Sequence, residues 1–449
     1  MPEFSIPRPR LAVLLALLAA AGMVYYHVGL LLPRSMERAS VRGLGGGYSF
    51  GNDFYPVWLT SRQALVRHQN PYSPETTREI QTGLFGRPLD GRNADGRGAD
   101  GRNAADPPRE YRAFAYPAYV DLLFWPLALL PFPLVRVSLA VALGALTIFS
   151  IPLWLRALGR RASPELLVIL ILLTLSSYAV LEGLFAVQPG LLVGFLLAAA
   201  SEALARGRRF FAGSLFALTL IKPQMSAVVA VYLLVWSFSR WRERCGFACG
   251  FLAWSAALAG LSLMVWPHWI PQWRHVLAGY GAYAPPPLIT YSLGPRLGPL
   301  LGPFLIVALL AIGAILMWRM RSIPAFSPSF PLTVSLLLAL TSITLLPGQA
   351  VYDHIILLPG ILVILSTWRD VVLSSRAFAV VVAAAALALF WQWIVVLPLL
   401  ASRVFLSPAQ FYSAGVFLLP LRAAASVPMA VSVVLGYMMR HALRREYES

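Results

Sequence analysis

The chain has 449 residues, of which 58% are hydrophobic and only 12% are charged. Soluble domains usually carry about 25% charged residues, so this composition excludes an ordinary soluble protein and indicates a polytopic membrane protein. The formal net charge of +17 would suggest nucleic-acid binding in a soluble chain. Here the basic residues lie at the ends of apolar runs, as orientation signals and headgroup contacts do, so we expect no nucleic-acid partner.

The apolar runs predict the membrane-spanning helices, each of which needs about 20 residues. The run 210–238 is interrupted at Lys222-Pro223, where proline ends a helix and lysine avoids lipid, so we count it as two short helices. The sequence therefore predicts an all-α bundle of about twelve transmembrane helices in a single domain, 1–449. The runs cover residues 11–32, 134–155, 166–188, 190–205, 210–238, 247–266, 299–318, 331–346, 355–368, 378–400 and 415–439.

Clusters of arginine between these runs predict the orientation of the chain, because cytoplasmic loops carry the excess of positive charge. An even number of crossings between clusters places both termini in the cytoplasm. The first run lacks a clear small-residue cleavage site, so we interpret it as a retained helix and not as a signal peptide. The clusters contain Arg8, Arg10, Arg156, Arg160, Arg161, Arg206, Arg208, Arg209, Arg240, Arg242, Arg244, Arg319, Arg321, Arg369, Arg376, Arg440, Arg444 and Arg445.

The largest predicted extramembrane segment is residues 33–115, on the outer side. The run 116–130 that follows it is interrupted by prolines and is short for a span, so we expect an interfacial or re-entrant helix there. Within the loop, residues 89–106 repeat Asp-Gly-Arg at Asp90, Asp95 and Asp100, with no recurring bulky apolar residue. This composition predicts a solvated, disordered insertion.

The stretch GNDFYPVW in this outer loop places Asp53 among aromatic residues close after the first span. A carboxylate near the bilayer surface, partly shielded from water, suits a general base. Tyr55 and Trp58 suit either an interfacial belt or the faces of a sugar. The alternative is a loop aspartate that caps a helix over 54–66.

Two further groups of ionisable residues interrupt the apolar pattern. Lys222 is a natural partner for a lipid-linked phosphate, although a lysine at a helix end can also extend to the interface. Asp353-His354 joins an acid and an imidazole on the outer side, with helix capping as the alternative.

Gln188 precedes Pro-Gly and can belong to a simple turn. Arg296, on the outer side, suits a phosphate clamp or a headgroup contact.

These pieces occur in an order that resembles glycosyltransferase family 87, the polyprenol-phosphate-mannose-dependent α-mannosyltransferases of the GT-C fold. The resemblance extends from Gly51 to about Leu365. It rests on the stretches GNDFYPVW, NPYSPE, FAYPAYVDLLFWPLALLPFPL, LFAVQPGLLVGFLLA, FAGSLFALTLIKPQ, YSLGPR and YDHIILLPGILVIL.

The resemblance implies an inverting hexosyltransferase, with mannose as the expected sugar, that uses a polyprenyl-phosphate-linked donor on the extracytoplasmic face of the bacterial plasma membrane. Asp53 would be the catalytic base for a lipid or glycan acceptor, and no metal or other cofactor is expected. The donor phosphate would be held by Lys222, His354 and Arg296. The substrate-binding residues would be Tyr55, Trp58, Tyr116, Gln188, Tyr291 and Asp353.

Other classes of function remain open from the residues themselves. A secondary transporter or lipid flippase would also have about twelve helices, but transporters usually contain two related halves, and this sequence shows no such repeat. A lipid-linked oligosaccharide ligase would share the donor chemistry but would not place an aspartate as Asp53 is placed. A membrane scaffold would not need Lys222 at a helical break.

Overall fold

The computed structural model of the chain describes residues 3–4, 8–41, 48–89, 112–298, 300–372 and 376–448. Residues 90–106 of the predicted Asp-Gly-Arg insertion lie outside the described residues, so its disorder stays a prediction. The division into a single domain with an outer loop at 33–115 also stays a prediction. In the described part, two strands of two residues each pair in parallel: β1 Glu3–Phe4 and β2 Arg161–Ala162.

All other regular secondary structure in the described chain is helical. The first half contains α1 Pro9–Val24, α2 Leu32–Val41, α3 Tyr55–Arg67, α4 Pro74–Phe85, α5 Tyr119–Ala128, α6 Phe132–Ala157, α7 Pro164–Ser176, α8 Tyr178–Ala186, α9 Pro189–Ala205, α10 Arg209–Leu218 and α11 Pro223–Ser239. The second half contains α12 Trp241–Val265, α13 Trp269–Tyr283, α14 Leu288–Leu297, α15 Leu301–Arg319, α16 Ser329–Thr344, α17 Leu358–Val372, α18 Arg376–Ser402, α19 Pro408–Phe411, α20 Ala414–Phe417 and α21 Ser426–Glu448. A π-helical segment, Tyr25–Leu31, joins α1 to α2, and 3₁₀ segments cover Thr219–Ile221, Val351–Leu357 and Leu419–Leu421.

Prolines determine where several of these helices begin. Pro164, Pro189 and Pro223 each occupy the first position of a helix, where a missing N–H costs nothing and the fixed φ suits the helix. Ser177 separates α7 from α8, and its side chain accepts a hydrogen bond from Val180 N. The predicted run 166–188 is therefore two helices bent by 57°, because a serine cap with extended backbone interrupts it.

Six helices in the described part of the chain are long and apolar enough to cross a membrane, and the bent pair α7 and α8 makes a seventh candidate. These helices confirm an all-α polytopic membrane protein. The predicted crossings at 190–205, 331–346 and 355–368 fall on apolar helices of 10–17 residues, so the count of twelve stays a prediction. The six are Pro9–Val41, Phe132–Ala157, Trp241–Val265, Leu301–Arg319, Phe378–Ser402 and Leu419–Leu443.

The short helix α5 lies within the run 116–130, for which an interfacial or re-entrant helix is predicted. It has 10 residues and is therefore about 15 Å long, half the thickness of a bilayer core. Asp121 in α5 accepts hydrogen bonds from the hydroxyls of Thr60, at 2.7 Å, and Ser61, at 3.2 Å. These bonds attach α5 to α3, the helix that directly follows Asp53.

Close packing of helices holds the rest of the bundle together. At the crossing of α10 and α12, a Cβ on Gly213 would collide with the carbonyl of Phe247, and a Cβ on Gly250 would collide with that of Phe210. Small residues allow this backbone approach, which membrane bundles use in place of a hydrophobic driving force. The packing brings the break at Lys222, the start of α9 and the 3₁₀ segment Val351–Leu357 to one place.

Candidate active site

Asp53 lies in a tight turn that the sequence holds from both sides. Gly51 has a φ of +81°, and a Cβ there would also lie 2.9 Å from Cβ of Arg136 in α6. The Gly51 N–H donates to the carbonyl of Phe185 in α8, at 2.8 Å. The turn is therefore attached to α6 and α8, and only glycine combines this backbone conformation with this contact.

The Asp53 carboxylate does not cap the following helix. Phe54 is the N-cap of α3, and Pro56 lies in its first turn. Instead, Oδ1 of Asp53 accepts a hydrogen bond from Nη1 of Arg112 at 2.5 Å, and Oδ2 accepts one from the side-chain amide of Gln188. The capping alternative for Asp53 is thus wrong, and the carboxylate faces other polar side chains.

Lys222 occupies the break between α10 and α11, as its place before a proline predicts. Its Nζ donates to Oε1 of Gln188 at 3.1 Å and to Oδ1 of Asp353 at 2.6 Å. The Tyr352 ring lies 5.0 Å from Nζ, so it adds a cation–π contact. Lys222 is buried and paired, and the alternative of a lysine extending to the interface is wrong.

Asp353 and His354 are neighbours in sequence but face different surroundings. The 3₁₀ segment that carries them has Ala350 as its N-cap, so Asp353 does not cap a helix. A 3₁₀ segment has three residues per turn, and adjacent side chains therefore point in directions about 120° apart. Asp353 bonds Lys222, whereas His354 lines an apolar cavity, and its Nε2 has no hydrogen-bond partner among the described residues.

We call the connected side chains Arg112, Asp53, Gln188, Lys222 and Asp353 the polar cluster. Two carboxylates alternate with two cations, and the Gln188 amide links one pair to the other. Because the charges are balanced, the cluster can be buried without a net charge. An anion that binds here competes with the two carboxylates for the charge of Arg112 and Lys222.

Gly190 makes room for the polar cluster at the start of α9. A Cβ at this position would collide with Oδ1 of Asp353 and would lie 3.5 Å from Nζ of Lys222. Sequence reasoning interpreted Gln188-Pro189-Gly190 as a possible turn and did not single out Gly190. Arg112 carries no signal in the sequence, because it is a lone arginine in a loop. Tyr352 begins the stretch YDHIILLPGILVIL, but the sequence gives no reason to expect its ring beside Lys222.

Tyr116 follows Arg112 closely in the chain and lies within electrostatic reach of Asp53 and Asp353. Burial is the main cause that raises the pKa of Tyr116, and the two carboxylates raise it further. Its hydroxyl therefore stays protonated and can donate a hydrogen bond. Tyr280 in α13 is near the same charges.

The other predicted aromatic residues pack away from the polar cluster. The Tyr55 hydroxyl end lies against Gly83, and the Trp58 indole donates to the carbonyl of Leu130 at 3.0 Å. Tyr291 in α14 is exposed, and its ring lies beside Gly348. Arg296 also belongs to α14, but its side chain lies outside the described part of the structure. No described contact of Tyr55, Trp58 or Tyr291 reaches Asp53.

An apolar cavity of about 440 Å³ lies on the His354 side of the 3₁₀ segment. It is lined by side chains from several helices, including α1, α7, α8, α17 and α18, among them Ala12, Leu170, Tyr178 and Trp393. A mostly apolar cavity with a few polar groups is typical of a site for a hydrophobic ligand. His354 contributes a buried polar atom without a partner to its wall.

Within the described residues, no group of three or more His, Cys, Asp or Glu side chains is arranged to hold a metal ion. The absence of a cofactor stays a prediction from sequence.

Comparison with known proteins identifies a family. The sequence model of glycosyltransferase family 87 matches residues 114–347, which is more than half of the chain. No curated protein and no solved structure matches. The matched range includes Gln188 and Lys222, while Asp53, Arg112 and Asp353 lie outside it. The polar cluster thus joins residues of the matched region to residues on both sides of it.

Proposed function

The chain belongs to glycosyltransferase family 87, and we propose that it transfers a hexose from a polyprenyl-phosphate donor. The acceptor is a hydroxyl group of a lipid or glycan, and mannose is the first candidate for the sugar. The family and the apolar helices support a membrane-bound enzyme with sugar and lipid substrates. The observation that carries the rest is the placement of Asp53, a carboxylate in the outer loop connected through Gln188 to a buried lysine.

Asp53 is the general base of the proposed reaction. It takes the proton of the acceptor hydroxyl while that oxygen bonds to the anomeric carbon of the sugar. The bond from this carbon to the phosphate oxygen breaks, and the polyprenyl phosphate leaves with the electron pair. A single displacement of this kind inverts the anomeric configuration. General base catalysis typically contributes about 10²–10⁴-fold to the rate.

Lys222 stabilises the leaving phosphate in this mechanism. Its ammonium is now neutralised by Asp353, and a phosphate that approaches Nζ would share that charge. Preorganised cations next to a developing negative charge are among the strongest catalytic contributions, because they need no rearrangement during the reaction. Asp353 keeps Lys222 oriented until the donor binds, so we propose a role in donor binding for both.

The apolar cavity beside His354 supports a donor with a long hydrocarbon chain. We place part of the polyprenyl chain in this cavity, with His354 Nε2 as a hydrogen-bond partner for the phosphate at its end. Arg296 is a further proposed phosphate contact. Tyr116 and Gln188 are the proposed sugar contacts nearest to Asp53, and Tyr55, Trp58 and Tyr291 are proposed for more distant parts of the substrates.

The proposed location is the bacterial cytoplasmic membrane, with the active site on the extracytoplasmic side. A lipid-linked donor supplies the activated sugar there, so no nucleotide is needed. The arginine clusters at the ends of the apolar runs support this orientation, because they predict cytoplasmic loops on the face opposite to Asp53.

The test is sugar transfer by purified protein from a polyprenyl-phospho-hexose to a lipid extract of the host. We expect transfer by the wild type and a loss of about 10²–10⁴-fold in Asp53→Asn, which keeps the shape of the side chain but removes the base. Glu75→Gln, an exposed carboxylate of the same loop, is the matched control and should keep full activity. Full activity in Asp53→Asn would contradict the mechanism. If the protein transfers sugar from none of the donors, a transporter or flippase becomes the favoured function.

A further inference from the structure

The ion pair between Arg112 and Asp53 occupies one oxygen of the proposed base. Nη1 of Arg112 lies 2.5 Å from Oδ1, and the Gln188 amide donates to Oδ2. Both carboxylate oxygens therefore already accept a hydrogen bond, one of them from a full positive charge. Each oxygen keeps a second lone pair, but a proton that reaches Oδ1 would lie beside the positive charge of Arg112, which repels it. Exchange of the Arg112 contact would therefore favour the proposed reaction.

The Arg112 contact is the one that a ligand can exchange more easily. The side chains of Arg112 and Asp53 are 27% and 13% exposed, whereas those of Lys222 and Asp353 are 7% and 2% exposed. Breaking a buried ion pair leaves an uncompensated charge in a low-dielectric surrounding, while a partly exposed pair loses much less. Gln188 is also bonded to Lys222, so its amide is held in place from its other end.

Arg112 is suited in its chemistry and position to bind a phosphate. A guanidinium presents several N–H donors in a planar fork that matches two phosphate oxygens at once. Residues 112–118, which lead into α5, are not helical, so a small change of the Arg112 side chain does not disturb a helix. Its neighbour Tyr116 also lies within electrostatic reach of both Asp53 and Asp353.

We propose that Arg112 is a further cation of the donor-phosphate site. Its guanidinium is paired with Asp53 until the donor binds. The incoming phosphate competes with Oδ1 of Asp53 for the guanidinium. Once Arg112 has moved to the phosphate, Oδ1 is free to accept the proton of the acceptor hydroxyl. Donor binding therefore activates the base, and the order of binding is donor first. This inference rests on the proposed function, because it assumes a donor that carries a phosphate.

The charge balance of the transfer agrees with this exchange. With the donor bound, Arg112 and Lys222 carry two positive charges, and Asp53, Asp353 and the phosphodiester carry three negative charges. During transfer the phosphate gains one negative charge as its bond to the sugar breaks. Asp53 loses one as it takes the proton, so the total is unchanged. The new charge on the phosphate develops next to two cations, where it is stabilised.

The first experiment measures binding of farnesyl phosphate to the purified full-length protein, with farnesol as the uncharged control. We expect Arg112→Ala to weaken farnesyl phosphate binding at least tenfold, the loss typical of a charge-assisted hydrogen bond, with farnesol binding unchanged. Arg112→Lys should keep part of the affinity. Arg67→Ala is the matched control, because Arg67 is another arginine of the outer loop that faces a carboxylate, Glu79, at 3.7 Å. Unchanged farnesyl phosphate binding in folded Arg112→Ala would overturn the proposal.

A double-mutant cycle tests whether Arg112 exchanges its ion pair with Asp53 for a contact to the phosphate. Asp53→Asn removes a charge that repels the phosphate and also releases Arg112, so it should tighten farnesyl phosphate binding. In the Arg112→Ala background only the repulsion remains to be relieved, so the gain from Asp53→Asn should be smaller. If Asp53→Asn increases the affinity for farnesyl phosphate equally in both backgrounds, the proposed exchange of Arg112 between Asp53 and the phosphate is overturned. Melting temperatures identify unfolded variants, and Arg112→Gln replaces Arg112→Ala if the latter does not fold.

The wild type separates this inference from the proposed function. If wild-type protein binds farnesyl phosphate no better than farnesol, the phosphate-linked donor itself is overturned, and the role of Arg112 with it. If the wild type prefers the phosphate and the Arg112 variants keep that preference, only the Arg112 proposal is overturned.

Discussion

Nζ of Lys222 lies 2.6 Å from Oδ1 of Asp353, in an ion pair that is almost completely buried. The two residues are 131 positions apart in the chain. Each of them alone would be a costly charge at the centre of a helical bundle. Together they place a cation next to Gln188 and Asp53 without a net charge, so the pair serves the fold and the proposed chemistry at once.

Removal of Lys222 should therefore affect both stability and activity. Lys222→Ala leaves Asp353 buried without its partner, which typically costs about 3–5 kcal/mol, so we expect a clear fall in melting temperature. The double variant Lys222→Met with Asp353→Asn contains no buried charge at this place. It should recover the melting temperature but not sugar transfer. Recovery of transfer in the double variant would contradict the role of Lys222 at the phosphate.

Gly190 should tolerate no side chain. In Gly190→Ala the new Cβ collides with Oδ1 of Asp353, so the ion pair to Lys222 must shift. We expect a loss of transfer of at least tenfold with a modest fall in melting temperature. Gly260→Ala in α12 is the matched control, because a Cβ there meets nothing within 4 Å and alanine favours the helix. Equal transfer by the two variants would show that the contact at Gly190 does not matter.

The length of the hydrocarbon chain should matter at the apolar cavity. Leu170 lies in its wall, and Leu170→Trp should fill part of the volume that we assign to the polyprenyl chain. We expect weaker binding of a long polyprenyl phosphate, with a smaller effect on farnesyl phosphate. Leu252→Trp, at an exposed position of α12, is the control. Equal loss for long and short chains would place the hydrocarbon chain elsewhere.

Asp121 should make the stability of the contact between α3 and α5 depend on pH. Burial raises the pKa of this carboxyl from 3.8 to about 8, although the hydroxyls of Thr60 and Ser61 act in the opposite direction. The folded state therefore keeps a proton that the unfolded state releases above about pH 4. The contribution of Asp121 to the free energy of unfolding is fully present below that pH. It is lost as the pH rises towards 8, at up to about 1.4 kcal/mol per pH unit.

The corresponding measurement is the melting temperature between pH 5 and pH 9. It should fall with rising pH in the wild type up to about pH 8, where Asp121 is ionised in both states. Asp121→Asn cannot ionise, so its profile should lack this contribution. Glu75→Gln should keep the wild-type profile, because Glu75 is largely exposed. Identical profiles for the wild type and Asp121→Asn would show that Asp121 does not cause the dependence.

Several parts of the candidate site could be predicted because their signals are local. Lys222 followed by proline in an apolar run indicates a helix break, and an aspartate among aromatics after the first span indicates a functional loop. The sequence alone marks four candidate residues that the structure brings together: Asp53, Gln188, Lys222 and Asp353. Arg112 was missed because a single arginine after a loop insertion has no pattern that marks its partner.

By itself, the sequence determined the class of the protein, a helical membrane protein, and the place of the break at Lys222. Hydrophobic length and proline act on neighbouring residues, so they can be interpreted without a structure. Only the tertiary structure decided that Asp53 meets Arg112, that Lys222 meets Asp353, and that His354 faces the apolar cavity. These contacts depend on how separate helices pack and on the direction of adjacent side chains in a 3₁₀ segment. Neither is determined by a residue's immediate neighbours in the chain.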